Sequence, residues 1–348
     1  MRPVTLESRT IAAGCGTLVI AEIGVNHDGS IERAIELVNA AKAAGADAVK
    51  LQLFSAQRLM HPTAGFAGYQ ESRVSDATPA EMLARYELSD DGVRRIVAAA
   101  RSIGLLPLAT PFSFGDLGLI ESLELPAIKI ASPDLVNKPL LRACAKLGRP
   151  LLVSTGAATM DEVEMAVSWL NQWETAFVLL HCVSSYPTPA ESANLAWIGQ
   201  LQRRFVSLVG YSDHTTELAA GALAVAAGAV VIEKHLTLDT KAAGPDHEAS
   251  FDPGQFAEYV KQIRSAEVLL GKPGKRVLDI EGDVRTVSRQ SLVLARPVAA
   301  GAAIEPGDLN FQRPAAGLPA MMLDQVVGRV AARNLEAGEM LQSDMLAA

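Results

Sequence analysis

Two lysines lie within runs of otherwise apolar, strand-like sequence. Lys50 falls in residues 47–53 (DAVKLQL) and Lys129 in residues 127–131 (AIKIA). A lysine buried in a strand is costly unless a partner compensates its charge. Two such lysines, accompanied by serine and threonine hydroxyls, are typical of a site for a strongly anionic group. The pair therefore predicts a phosphate-type ligand.

Two histidines end consecutive strand-like segments further along the chain, His214 and His235. They lack a short local metal-binding spacing, but on adjacent strands of a barrel they could share one divalent ion and leave positions for water and substrate. Glu22 ends the first predicted strand, where it could act as a general acid or base or orient a metal-bound water. His181 lies in mid-strand and is interpreted as a core histidine.

Polar side chains end every predicted strand. Alternation places Lys50 with Gln52, and Glu233 with His235, on one face of their strands. The other polar strand ends are Thr110, Ser132, Ser154, Ser184, Tyr186 and Ser212. One such residue is often only part of a turn, but a complete ring at the carboxyl ends of the strands is typical of a barrel active site.

The elements that must position these residues alternate along the chain. Strands are predicted at 17–23, 47–53, 105–110, 127–131, 150–154, 176–183, 207–211 and 229–236, and helices include 30–44, 89–103, 160–173, 216–227 and 253–270. Eight strand–helix repeats predict a (β/α)8 TIM barrel. A doubly wound sheet also alternates, but its Gly-x-Gly-x-x-Gly turn does not follow the first strand, where residues 24–29 read GVNHDG.

Two segments interrupt this regular alternation. The connection 54–87 is long and leaves the carboxyl end of its strand, where long loops tend to be functional. After the last helix, short strand-like runs and Pro/Gly turns begin again. We therefore expect a catalytic barrel at 1–271, a charged linker at 272–289 and a small β-rich domain at 290–348. A domain of that size is marginally stable alone.

Composition excludes several classes of protein. The net charge is −8 and no basic stripe is present, so a nucleic-acid partner is not expected. The longest uncharged run, 218–232, is too short to span a bilayer, and the first residues lack a signal-peptide pattern. The cysteines Cys15, Cys144 and Cys182 form neither a disulfide framework nor a zinc pattern, which favours a reducing cytoplasm.

Longer motifs resemble the sialic acid (N-acetylneuraminate) synthase family. They are 21–29 (AEIGVNHDG), 129–132 (KIAS), 154–156 (STG), 181–189 (HCVSSYPTP), 210–214 (GYSDH), 233–239 (EKHLTLD) and 244–250 (GPDHEAS). The tail, through 311–314 (FQRP) and 328–331 (GRVA), resembles the antifreeze-like (SAF) domain of that family. The resemblance covers nearly the whole chain.

The resemblance implies a TIM-barrel enzyme that condenses phosphoenolpyruvate with an N-acylated mannosamine-type sugar and water. The products would be a nine-carbon 2-keto acid, such as N-acetylneuraminate, and phosphate. It implies a divalent metal, commonly Mn²⁺ with Mg²⁺ or Co²⁺ as alternatives, on His214 and His235. The implied phosphoenolpyruvate contacts are Lys50, Thr110, Lys129, Ser132, Ser154, Ser184 and Ser212, with Glu22, Lys50 and Lys129 as catalytic residues. The implied sugar contacts are Gln52, Asp134, Tyr186, Asp246 and Arg313, the last from the second chain of a homodimer with exchanged tail domains.

One stretch departs from the family pattern. Residues 132–134 read Ser-Pro-Asp where sialic acid synthases read Ser-Gly-Glu, and a shorter acid after a rigid proline changes the reach of the pocket. The departure therefore indicates, as alternative acceptors, a precursor of legionaminic or pseudaminic acid or a spore-coat-type sugar, while N-acetylmannosamine stays the first expectation. Rival interpretations are a synthase of deoxyoctulosonate or deoxyheptulosonate phosphate, a metal-dependent hydrolase and a non-catalytic sugar-binding protein.

Overall fold

The protein was analysed as a computed structural model, which describes residues 2–7, 9–66 and 76–347. The chain forms two compact units, Met1–Lys272 and Pro273–Ala348. In the first unit, eight parallel strands form a closed barrel. This closure confirms the predicted TIM barrel and excludes the doubly wound sheet.

The strands of the first unit begin with a short antiparallel hairpin, β1 (Val4–Leu6) and β2 (Arg9–Ile11). The barrel strands are β3 (Leu18–Glu22), β4 (Ala48–Leu53), β5 (Leu106–Pro111), β6 (Ile128–Ile130), β7 (Leu151–Ser154), β8 (Phe177–Cys182), β9 (Val209–Asp213) and β10 (Val231–His235). They follow one another in order around the barrel, and β10 pairs with β3 to close it. The barrel strands lie within about two residues of the predicted ones.

The helices of the first unit are α1 (Ile31–Ala43), α2 (Ala56–Leu59), α3 (Pro79–Ala84), α4 (Asp90–Ser102), α5 (Leu117–Ser122), α6 (Lys138–Lys146), α7 (Met160–Gln172), α8 (Ala196–Phe205), α9 (Ala220–Ala226) and α10 (Pro253–Leu270). Side-chain caps fix several starts. Ser89 accepts a hydrogen bond from the backbone of Gly92, and Thr159 forms a capping box with Glu162. The long connection 54–87 contains α2 and α3, and its residues 67–75 lie outside the described part of the chain.

Apolar side chains fill the amino-terminal half of the barrel interior. Leu18 and Ile20 on β3 pack there with Leu6 and Ile11 of the hairpin, which therefore contributes to the apolar core at this end. A second and larger cluster lies between the strands and the surrounding helices and includes Val19. Since side chains alternate along a strand, the inward positions continue from Leu18 and Ile20 to polar residues at the carboxyl end.

The second unit is small and rich in β structure, as predicted. Its antiparallel strands are β11 (Ser291–Leu294) and β12 (Leu309–Gln312), and its helices are α11 (Gly282–Ser288) and α12 (Leu323–Val326). Isolated bridges such as Val298–Leu335 extend the pairing. Leu292, Leu294 and Leu341 belong to its own apolar core.

Within the described residues, no helix is long and apolar enough to cross a membrane.

Candidate active site

A pocket of about 240 Å³ opens at the carboxyl ends of the barrel strands. It brings together eleven residues that the sequence singled out: Lys50, Gln52, Thr110, Lys129, Ser132, Ser154, Tyr186, Ser212, His214, His235 and Asp246. Glu233 also lines it. Glu22 is fully buried and paired with Lys50. Most of the polar strand ends therefore line one pocket.

The two lysines form the cationic base of this pocket. Lys50 forms an ion pair with Glu22 and donates a hydrogen bond to Thr110 Oγ1 at 3.1 Å. Lys129 donates to Ser154 Oγ at 2.7 Å and to the backbone oxygen of Ile130 at 3.1 Å. Each ammonium thus retains donor capacity, because a lysine has three N–H groups.

Glu233 lies between these lysines. Its Oε1 is 4.0 Å from Lys50 Nζ and 3.8 Å from Lys129 Nζ, and it accepts a hydrogen bond from Ser212 Oγ at 3.0 Å. The sequence placed Glu233 at a strand end but gave it no role. Its alternation with His235 was the available signal, and its position between the lysines follows only from closure of the barrel.

Burial and charge pairing shift the ionisation of these groups. Burial raises the pKa of Glu22 to about 7, although the Lys50 ammonium opposes the rise. Burial alone would lower the pKa of Lys50, but the Glu22 and Glu233 carboxylates outweigh it and raise that pKa. Burial lowers the pKa of Lys129 against the opposing pull of Glu233. Glu22 is therefore a carboxyl group that can exchange a proton near neutral pH.

Two groups hold the Glu22 side chain in place: Gln52 on β4 and the turn that follows β3. Gln52 Nε2 lies 3.4 Å from Glu22 Oε1 and donates to it. Gly24 packs so closely that a Cβ at this position would lie 2.3 Å from Glu22 Oε1 and 2.5 Å from Gln52 Nε2. Only glycine fits there without moving both side chains, so the turn 24–29 fixes the carboxylate.

The two histidines face each other on β10 and just beyond β9. Their ring centroids are 5.5 Å apart, and the ring of Tyr186 lies 4.1 Å from that of His214. His214 Nδ1 lies 2.9 Å from the backbone oxygen of Val183, to which it donates in the tautomer that leaves Nε2 with its lone pair. His235 Nδ1 is buried and forms no hydrogen bond with the described residues, but it lies 3.5 Å from Asp246 Oδ2. Deep burial lowers the pKa of His235 well below its usual range and keeps the ring neutral.

Serine hydroxyls surround the backbone of Gly156, just after β7. Its N–H donates to Ser132 Oγ at 3.0 Å, and a Cβ at this position would lie 2.4 Å from Ser184 Oγ and 2.9 Å from Cys182 Sγ. The turn therefore requires glycine, and the Ser132 hydroxyl lies at the edge of the pocket. Cys182 lines the pocket too, a placement that the sequence gave no reason to expect.

One wall of the pocket is apolar, and the sequence did not predict it. We call it the apolar wall: Val25, Phe54, Leu59, Met82, Leu83 and Phe112. The Phe54 and Phe112 rings meet edge to face at 6.2 Å. Four of these residues, Phe54, Leu59, Met82 and Leu83, belong to the long connection after β4. That connection therefore forms part of the pocket's lining.

Three predicted site residues lie elsewhere in the structure. Ser184 is exposed and lines a neighbouring cavity between α7 and α8. The Asp134 carboxylate accepts a hydrogen bond from Asn137 Nδ2 at 3.0 Å, and its neighbour Pro133 lines the pocket instead. Arg313 is exposed in the second unit, directly after β12. Their proposed contacts with substrate stay predictions.

The fold and these charged strand ends define the class, a (β/α)8-barrel enzyme with a lysine-rich pocket. Residues 37–275 match the model of the NeuB family, and residues 289–347 match the SAF domain. The chain belongs to the NeuB family of phosphoenolpyruvate-dependent sialic and other nonulosonic acid synthases.

Individual relatives differ in the product named for them. The N,N′-diacetyllegionaminic acid synthase of Legionella pneumophila is 39% identical over 329 residues, covering 93% of this chain and 92% of that protein. The crystal structure of the N-acetylneuraminic acid synthetase of Leptospira borgpetersenii superposes with a TM-score of 0.73 at 31% identity, covering 81% and 95% of the two chains. A putative spore coat polysaccharide biosynthesis protein E of Chromobacterium violaceum gives a TM-score of 0.83 at 28% identity, covering 95% and 100%.

Proposed function

We propose that this chain condenses phosphoenolpyruvate with an N-acylated sugar and water to give a nine-carbon 2-keto acid and phosphate. The observation that carries the proposal is the base of the pocket, where Lys50 and Lys129 flank Glu233 and contact the hydroxyl groups of Thr110 and Ser154. A site of this kind suits an anion with several oxygen atoms.

The phosphate group of phosphoenolpyruvate would accept hydrogen bonds from both lysines. Thr110, Ser154 and Ser212 already contact Lys50, Lys129 and Glu233, respectively, and the Ser132 hydroxyl lies at the same edge of the pocket. The remaining N–H group of each lysine would reach the ligand's oxygens while these internal contacts persist. Lys50 and Lys129 would then stabilise the negative charge that grows on the departing phosphate.

The proposed reaction forms one carbon–carbon bond and, at C2, forms one carbon–oxygen bond to water and breaks the one to phosphate. C3 of phosphoenolpyruvate attacks the aldehyde carbon of the open-chain sugar. Water adds at C2, and the tetrahedral intermediate then expels phosphate together with its bridging oxygen. Glu22, with a pKa near 7, would orient this water and accept its proton.

His214 and His235 fit a divalent cation as two imidazole ligands. The evidence is the buried Nδ1 of His235, which has no hydrogen bond and lies 3.5 Å from Asp246 Oδ2, and the Val183 contact that fixes the His214 tautomer. Among the described residues, no three His, Cys, Asp or Glu side chains are grouped to hold a metal, so the remaining positions would be left to substrate and water. A cation bound there, with Mn²⁺ our first candidate, would polarise the aldehyde oxygen of the sugar.

We favour an acceptor that carries two N-acetyl groups. The apolar wall offers methyl-sized contacts from Leu59, Leu83 and Phe112, and an additional acetyl methyl would gain from burial there. The name of the Legionella relative points to such a product. N-Acetylmannosamine is the second candidate, and the likeness to the Leptospira synthetase supports it. Gln52, Tyr186 and Asp246 would contact the sugar's polar groups.

We also propose a homodimer in which Arg313 reaches the site of the second chain. Exposed apolar side chains support contact with another copy: Val268 and Leu269 at the end of α10 are 80% and 83% exposed, and Ile280 is 84% exposed. An arginine fork suits a carboxylate or an acyl oxygen.

Phosphate release from phosphoenolpyruvate tests the proposed function. Purified protein with Mn²⁺ is assayed with the diacetamido precursor sugar of legionaminic acid, with N-acetylmannosamine and with no sugar. We expect sugar-dependent release, with the higher kcat/KM for the diacetamido sugar. Release that is the same without any sugar would contradict the proposal.

A further inference from the structure

Lys234 is fully buried and does not line the active-site pocket. It lies between Glu233 and His235 on β10, and alternation turns its side chain to the opposite face of the strand. The reaction described above gives it no role. An apolar side chain would fill this space without the cost of desolvating an ammonium group, so packing alone does not explain a lysine here.

The ammonium group of Lys234 donates hydrogen bonds to three backbone carbonyl groups. It donates to the oxygen of Thr215, to that of Ala249 at 3.0 Å and to that of Asp213 at 3.4 Å. A lysine ammonium has three N–H groups, so its donors are fully used. The ring of Phe251 lies 4.3 Å from Nζ and adds a cation–π contact.

Two of these carbonyl groups flank His214, the residue proposed to bind the metal. Asp213 and Thr215 are the immediate neighbours of His214, one on each side. The Asp213 side chain further fixes this segment, because it accepts a hydrogen bond from the backbone N–H of Thr215 at 2.8 Å. Lys234 therefore fixes the backbone on both sides of the imidazole.

The third carbonyl belongs to the turn that carries Asp246. Ala249 closes the short 3-10 helix His247–Ala249. Ser250, the next residue, donates to the backbone oxygen of Asp246 at 2.6 Å and accepts from Asn26 at 2.8 Å. One ammonium thus ties the loop after β9 to the loop after β10.

We propose that Lys234 is a positioning residue that sets His214 and Asp246 in register with each other. The inference rests on the proposed function, in which those two side chains meet the cation and the sugar. Lys234 acts through backbone oxygens and touches neither substrate.

The test uses the full-length protein and the variant Lys234→Met, with Mn²⁺ titrated by calorimetry before any turnover. We expect the Mn²⁺ Kd to rise about 10- to 100-fold, the usual effect of losing a group that orients a metal ligand. The KM for the acceptor should rise as well, while the KM for phosphoenolpyruvate at saturating Mn²⁺ stays within about twofold, because the lysine base of the pocket is untouched.

Leu37→Ala is the matched control for lost stability. Leu37 is fully buried on α1 and its truncation lowers stability through a cavity, but we expect its Mn²⁺ Kd and acceptor KM to match wild type. If Lys234→Met does not fold, Lys234→Gln replaces it, since it retains two donors; its Mn²⁺ Kd should rise at least about threefold.

Three results separate the possible failures. A folded Lys234 variant with wild-type Mn²⁺ Kd and acceptor KM overturns the positioning role. Equal changes in Leu37→Ala overturn it too. If wild type binds no Mn²⁺, or His235→Ala binds it equally well, the proposed metal site fails, and the acceptor KM alone then decides the role of Lys234.

Discussion

Replacing Lys129 with methionine tests the cationic base of the pocket in isolation. Methionine has a similar length and suits a strand whose neighbours are Ile128 and Ile130. Glu233 would keep its hydrogen bond from Ser212 at 3.0 Å and its contact with Lys50 at 4.0 Å. We therefore expect the fold to survive, with a change in unfolding free energy of about 1 kcal/mol and a Tm shift of roughly 2–4 °C.

The expected kinetic loss follows from the donors of Lys129. Two of its three N–H groups are used by Ser154 Oγ and the backbone oxygen of Ile130. One donor is therefore left for phosphoenolpyruvate, and a hydrogen bond to a charged group contributes about 1.5–3 kcal/mol. At about 1.4 kcal/mol per tenfold, kcat/KM for phosphoenolpyruvate should fall about 10- to 150-fold.

Steady-state kinetics with phosphoenolpyruvate varied at saturating acceptor measure this loss. Lys261→Met is the matched control, because it removes the same charge from an exposed position on α10 and should leave the kinetics unchanged. A Lys129→Met protein with wild-type kcat and KM for phosphoenolpyruvate would refute the assignment of the anion site.

The remaining predictions concern the cation, the acceptor and the dimer. Chelator-treated protein should be inactive and regain activity with Mn²⁺, whereas His235→Ala should stay inactive at trace metal; full activity of that variant would exclude His235 as a ligand. The double change Pro133→Gly with Asp134→Glu should alter the ratio of kcat/KM between N-acetylmannosamine and the diacetamido sugar at least about threefold, since Pro133 lines the pocket; an equal response of both sugars would make the segment structural only. Refolding Arg313→Ala and His235→Ala together in equal amounts should restore about a quarter of wild-type activity if Arg313 acts on the other chain's site. No recovery, with heterodimers verified by mass, would reject the exchange.

The barrel could be predicted from the sequence, because the alternation of side chains that indicates each strand is a local pattern. Lys50 and Gln52 alternate on β4, and Glu233 and His235 alternate on β10, so the inward face of each strand is apparent without the structure. The hairpin β1–β2 was missed because each strand has only three residues, too few for a period to show.

Other features of the site depend on residues far apart in the chain. The position of Glu233 between two lysines follows from closure of the barrel, which no local pattern contains. The apolar wall depends on how the connection after β4 folds back over the pocket. The same limit applies to Asp134, whose hydrogen bond to Asn137 depends on a short 3-10 turn, Ser132–Val136, that the sequence analysis did not predict.

Isotopic labelling tests the proposed reaction most directly. Phosphoenolpyruvate labelled with ¹⁸O at its bridging oxygen is incubated with the protein, Mn²⁺ and the diacetamido sugar, and the products are analysed by mass spectrometry. The account predicts a nine-carbon 2-keto acid and phosphate that carries the label, because the carbon–oxygen bond at C2 breaks. Unlabelled phosphate together with labelled pyruvate would show hydrolysis at phosphorus and contradict the account.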